Sequence, residues 1–115
     1  MDEEPHHGHK WMPVIHAHFY GILSAIAQEH GYALALHGTM SRDLDLVAVA
    51  WVENPKPHLE MLAAFRRALG TQRIDGLPYD SFEQKPHGRL GYTIQGGGGS
   101  YLDISIIAPN EALSQ

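Results

Sequence analysis

His37-Gly38-Thr39-Met40-Ser41-Arg42-Asp43-Leu44-Asp45-Leu46-Val47-Ala48-Val49-Ala50-Trp51 is the stretch on which the fold turns. A turn bearing Gly, Thr and Ser leads into an apolar run of strand-like composition. The run opens with carboxylates at i and i+2. Side chains alternate along a strand, so Asp43 and Asp45 would project from one face. Their Cα atoms would stand about 6.6 Å apart at a rise of about 3.3 Å per residue. Two carboxylates so close repel unless a cation, a proton or an arginine lies between them. Hard divalent cations, which take oxygen ligands at about 2.0–2.6 Å, suit such a pair. The same residues also read as an exposed strand start, with Arg42 neutralising one Asp as a surface pair worth little.

Upstream, Pro13 suits the first turn of a helix. Ile15, Phe19, Ile22, Leu23 and Ile26 follow the 3.6-residue period of one buried face. Gly31 is placed to close that helix as its C′ residue. His16 and His18, two positions apart, would point about 200° apart around the helix and not share an ion. Residues 32–37 read as a central strand, and residues 44–52, almost continuously apolar, as a strand buried on both faces. Glu53-Asn54-Pro55-Lys56-Pro57 is a break. A second helix follows to Leu69, with Leu59, Leu62, Phe65, Arg66 and Leu69 along one side and Gly70 closing it.

Residues 71–88 show no sustained period, and so long a connection often carries function. Within it, residues 80–83 suit the cap of a short helical turn. A hairpin ends the chain: Leu90, Tyr92 and Ile94 alternate with Gly91, Thr93 and Gln95, then Leu102, Ile104 and Ile106 with Tyr101, Asp103 and Ser105. Gly96 to Gly99 lack the Lys-Ser/Thr and the following helix of a phosphate loop, and read as the hairpin connection. The predicted order is α-β-β-α-β-β: an α+β (α/β) mixed sheet with both helices on one face. One domain spans residues 13–108, between a His-rich arm (1–12) and a tail (109–115). Trp51 and Tyr101 read as packing residues.

The chain has 115 residues, 43% hydrophobic and 18% charged, the composition of a globular domain. Cysteine is absent, which excludes disulfides, thiolate catalysis and Cys-based zinc sites. The net charge is −5 and no basic stripe appears, so no extended nucleic-acid surface is expected. Apolar runs fall short of the roughly 18–20 residues of a membrane helix. No signal-peptide pattern opens the chain, so a cytoplasmic location is the expectation. Nine histidines would turn the charge balance positive if all were protonated, near an ordinary pKa of about 6.5. His6, His7 and His9 can bind nickel or zinc as a tract, or simply form a polar arm.

Asp103 is a third carboxylate of interest, since aspartate is poorly suited to a strand centre. Beside the strand at 44–52, about 4.8 Å away, it would join Asp43 and Asp45 around one or two cations, as at sites that hold Mg²⁺ for phosphoryl chemistry. Otherwise it is a hydrogen-bonded strand-end carboxylate. His37, next to Gly38, is placed to contact a phosphate or act as acid or base, or to satisfy a local backbone group.

The string LHGTMSRDLDLVAVAW resembles the signature of the nucleotidyltransferase superfamily of the DNA polymerase beta type. There a strand leads to Gly-Ser or Gly-Gly, a later strand carries Asp-x-Asp or Asp-x-Glu, and a further strand supplies a third carboxylate. The order of elements is similar to that fold's minimal core over residues 13–107. The resemblance implies Asp43 and Asp45 as ligands of Mg²⁺ or Mn²⁺, and Asp103 as the residue that activates an attacking hydroxyl. It implies Gly38 and Thr39 at the phosphate-contacting position, and a nucleotide as ligand. The chain departs from the pattern in spacing: only Met40, Ser41 and Arg42 separate Thr39 from Asp43, where the family places about ten residues and a helix start. That departure suits a non-catalytic structural or protein-interaction module on the same fold, as a homodimer or completed by a second chain.

Overall fold

The computed structural model describes residues 13–37, 44–96 and 101–107, with side chains from residue 17 onward. Gly38, Thr39 and Asp43 lie outside these residues, as do the N-terminal arm and the tail. In chain order the elements are α1 (Pro13–Glu29), β1 (Tyr32–Leu36), β2 (Leu44–Ala50), α2 (His58–Leu69), β3 (Ser81–Gln84), β4 (Leu90–Gln95) and β5 (Tyr101–Ile107), with a 3₁₀ turn at Pro86–Gly88 before β4. The strands form one mixed sheet in the order β1-β2-β5-β4-β3. Among the described residues, only the β2–β5 pair is parallel. The architecture is α+β.

The alternation of side chains decides which face is covered. Leu44, Leu46 and Ala48 of β2 are buried, as are Leu102, Ile104 and Ile106 of β5 and Tyr92 and Ile94 of β4. They form one core with Leu23 and Ala27 of α1 and Met61, Leu62, Phe65 and Leu69 of α2. The residues between them on each strand turn to the opposite face, which no helix of the described residues covers. β2 is therefore buried on one face and not on both, and it ends at Ala50. Its continuous apolarity came from Val47 and Val49, which lie on the open face, Val49 39% exposed. β-Branched side chains suit a half-covered pleated surface, so their presence does not report double burial.

Further expectations are corrected. β1 is an edge strand, not a central one, because β5 inserts on the far side of β2. Ser81–Gln84 is a strand and not a helical turn, and all its residues are exposed. A four-residue edge strand whose one apolar side chain, Phe82, is half exposed leaves no hydrophobic period to read. On α1, Ile22 is largely outside the core, and the side chain of Ile15 lies outside the described residues. On α2, Leu59 points outward and Met61 takes the buried place. Trp51 is 65% exposed and packs little, whereas Tyr101 is 41% exposed. Gly31 and Gly70 do close their helices with positive φ. No helix among the described residues is long and apolar enough to cross a membrane.

At one edge of the core, Tyr92 meets Tyr79, Phe82 and His58 with ring centroids 4.9, 5.0 and 5.4 Å away. His58 Nε2 and the Tyr92 hydroxyl share a hydrogen bond of 2.8 Å. Burial pushes the Tyr92 phenol up to about 12, with Tyr79 adding to it. Burial lowers the pKa of His58, which favours its neutral form in the fold. Stability from His58 is thus present above the ordinary value of about 6.5 and lost as pH falls through the lowered one. In urea unfolding between pH 7 and 5, His58→Gln is expected to show a shallower loss of stability than wild type. Parallel curves would exclude His58 as a contributor.

Candidate functional site

The open face of the sheet carries polar residues of β2, β3, β4 and β5, and the pairing register aligns them. The His37 amide donates to the Asp45 carbonyl at 2.8 Å, which continues the β1–β2 ladder by one position. Asp45 lies opposite Asp103, Asp103 opposite Thr93, and Thr93 opposite Ser81. His37, Asp45, Asp103, Thr93 and Ser81 therefore form a single row across all five strands. Two positions further along, Ala35, Val47, Ser105, Gly91 and Glu83 form the next row. The polar row stands at the C-terminal end of β1 but near the N-terminal ends of β2 and β5, because β1 runs antiparallel to them.

A groove of about 410 Å³ runs over these rows, lined by His37, Asp45, Asp103 and Thr93 at one end and by Glu83, Lys85 and Arg89 at the other. Adjacent strands are about 4.8 Å apart, so the Asp45 and Asp103 side chains are immediate neighbours on one face. Like charges directly opposite each other destabilise a sheet. The Thr93 hydroxyl donates to Oδ1 of Asp103 at 2.9 Å and fixes the orientation of that carboxylate.

Asp45, Asp103 and His37 are thus brought together in one row. Gly38, Thr39 and Asp43 lie outside the described residues. Among the described residues, no three His, Asp or Glu side chains are grouped so as to hold a metal ion. Asp45 and Asp103 supply hard oxygen donors of the kind that suit Mg²⁺ or Mn²⁺, and they form a pair rather than a full ligand set. Thr93, Ser81, Lys85 and Arg89 escaped the sequence reading. Thr93 was recoverable, because it shares the parity of Gly91 and Gln95 opposite Asp103 in the hairpin. Ser81 and Lys85 lie in the aperiodic stretch, and nothing local marks them. Compared with known proteins, the chain matches no family model, no curated protein and no solved structure.

Proposed function

We propose that the chain is a small nucleotidyltransferase-like domain that binds a divalent cation and moves a nucleotidyl group onto an acceptor hydroxyl. The observation that supports this most is the placement of Asp45 beside Asp103 on the open, grooved face of the sheet. Asp43 enters through the sequence pattern alone, as a further ligand, and Gly38 and Thr39 enter likewise as phosphate contacts. When bound, Mg²⁺ or Mn²⁺ supplies Lewis-acid stabilisation of phosphoryl charge. In the proposed reaction the acceptor oxygen bonds to the α-phosphorus, the bond to the pyrophosphate oxygen breaks, and Asp103 takes the hydroxyl proton. Thr93 holds the Asp103 carboxylate in position for that transfer.

A second reading, a non-catalytic interaction module that is dimeric or completed by another chain, is favoured by the short spacing from Thr39 to Asp43. That spacing leaves no room for a helix start to cradle phosphates. Calorimetric titration separates the two. Mg²⁺ and Mn²⁺, with and without nucleoside triphosphate, are expected to give binding heat with wild type and little with Asp45→Asn or Asp103→Asn. Absence of heat in folded wild type would reject the enzyme reading and leave the module.

A further inference from the structure

A second like-charged pair faces the same groove. The Lys85 amide donates to the Arg89 carbonyl at 2.8 Å, one step beyond the Gln84–Leu90 pair of the β3–β4 ladder. Lys85 and Arg89 are therefore opposed across the neck of the hairpin, on either side of the Pro86–Gly88 turn. By alternation Lys85 shares the face of Ser81 and Glu83, and Arg89 that of Gly91 and Thr93. Both line the groove. Opposed cations on one face carry the same penalty as opposed carboxylates, and an anion between them removes it.

The Lys85 side chain is not extended into solvent. A Cβ on Gly91 would lie 2.5 Å from Lys85 Cε and 3.2 Å from its Cδ. The stem thus lies in the slot that the missing side chain of Gly91 leaves, folded back toward the carboxylate row. Gly91 is opposite Ser105, and Asp103 is its diagonal neighbour on β5. Diagonal neighbours on adjacent strands stand about 7–8 Å apart. A chain of two or three phosphoryl groups spans such a gap. The competing partner of Lys85 is weak: Glu83 Oε1 is 3.7 Å from Nζ, and the Glu83 side chain is 75% exposed.

We propose that Lys85 and Arg89 form the anion-binding end of the groove and hold the distal phosphoryl groups of a phosphate-chain ligand whose other end lies at Asp45 and Asp103. The proposal rests on the groove being the ligand site named above, and it adds the residues that select phosphate.

Inorganic tripolyphosphate is the probe, titrated calorimetrically into the full chain with and without Mg²⁺. Lys85→Gln is expected to weaken binding about tenfold, the loss of one charge-assisted contact, and Arg89→Gln to weaken it as well. Gly91→Ala retains every charge but occupies the Lys85 slot, and is expected to weaken binding too. Glu83→Gln frees Lys85 and is expected to tighten it. Unchanged affinity in both Lys85→Gln and Arg89→Gln, with circular dichroism showing both folded, would overturn the proposal, as would no binding by wild type. If Asp45-dependent Mg²⁺ binding persists in that case, the carboxylate reading stands alone. If tripolyphosphate binding depends on Lys85 while Mg²⁺ gives no heat, the anion site stands without it. ATP binding more tightly than tripolyphosphate would identify the ligand as a nucleotide, and equal binding would identify the phosphate chain itself; both uphold the role of Lys85.

Discussion

Asp80→Ala is expected to lower the free energy of unfolding by about 1.5–3 kcal/mol, because it takes the charged acceptor from the buried Arg66 guanidinium. Arg66 stands on the apolar side of α2, its side chain only 7% exposed, and meets Asp80 through Nη2–Oδ1 at 3.1 Å and Nη1–Oδ2 at 3.0 Å. The Nη1 contact is an ion pair without hydrogen-bonding geometry, and Arg66 Nε has no acceptor among the described residues. The guanidinium thus depends on Asp80. Asp80 in turn accepts from the Gln95 amide at 2.7 Å and from Arg73 Nη1 at 3.3 Å. One carboxylate therefore links α2, the approach to β3 and the end of β4.

The two partners are not equivalent. Arg66→Met leaves Asp80 with Arg73 and the Gln95 amide, so it is expected to cost less than Asp80→Ala. Burial alone would raise the Asp80 carboxyl, but the hydrogen bonds from Arg66, Gln95 and Arg73 outweigh it and hold the pKa below the ordinary value. A lowered carboxylate pKa contributes stability that is present above about pH 4 and lost as pH falls through the lowered value. The gap between wild type and Asp80→Ala should therefore narrow in acid. Urea unfolding of the three proteins at pH 7 and pH 3 measures both effects. Equal stability of wild type and Asp80→Ala at pH 7 would contradict the assignment. Typical domains are stable by about 5–15 kcal/mol, so this one side chain carries a large share of the fold's margin.

Gly31→Ala is expected to destabilise by roughly 2–5 kcal/mol, from left-handed backbone strain of about 1–2 kcal/mol and overpacking of about 1–3 kcal/mol. Gly31 has φ +92°. Its amide donates to the Gln28 carbonyl, and its carbonyl accepts from the Trp51 amide at 3.1 Å. The Lys56 amide bonds to the neighbouring His30 carbonyl at 2.9 Å. The end of α1 is thereby clamped to the exit of β2. A Cβ at Gly31 would lie 2.6 Å from Val52 Cγ2 and 3.0 Å from the Pro55 backbone. The valine tip can shift, whereas the proline backbone resists. Asn tolerates positive φ better than Ala but carries the same Cβ. Gly31→Asn is therefore expected to keep the overpacking cost but lose part of the strain, and to be somewhat milder than Gly31→Ala in urea unfolding, with an unchanged denaturant slope. A much milder loss for Asn would place the cost in backbone strain alone.

Much of this architecture is encoded locally. Pro13, Gly31 and Gly70 bound the two helices because ring geometry and positive φ are properties of single residues. The β4–β5 hairpin is legible because its alternation has one buried face, and Asp103 stands out because it breaks an apolar strand. The sequence places Asp103 on its strand; only the assembled sheet decides what lies beside it. Strand order is non-local: β5 reaches β2 across fifty intervening residues, and no periodicity along the chain encodes that pairing. The edge position of β1, the open face of β2 and the existence of β3 depend on what does or does not pack against each strand. The sign of burial at Val47 or Glu83 is therefore invisible until the layers are assembled. For the same reason the carboxylate pair, the opposed Lys85 and Arg89 and the Arg66–Asp80 link belong to the tertiary structure. Composition and local pattern determined the class of the domain and nominated single residues; cross-strand register decided which charges face one another.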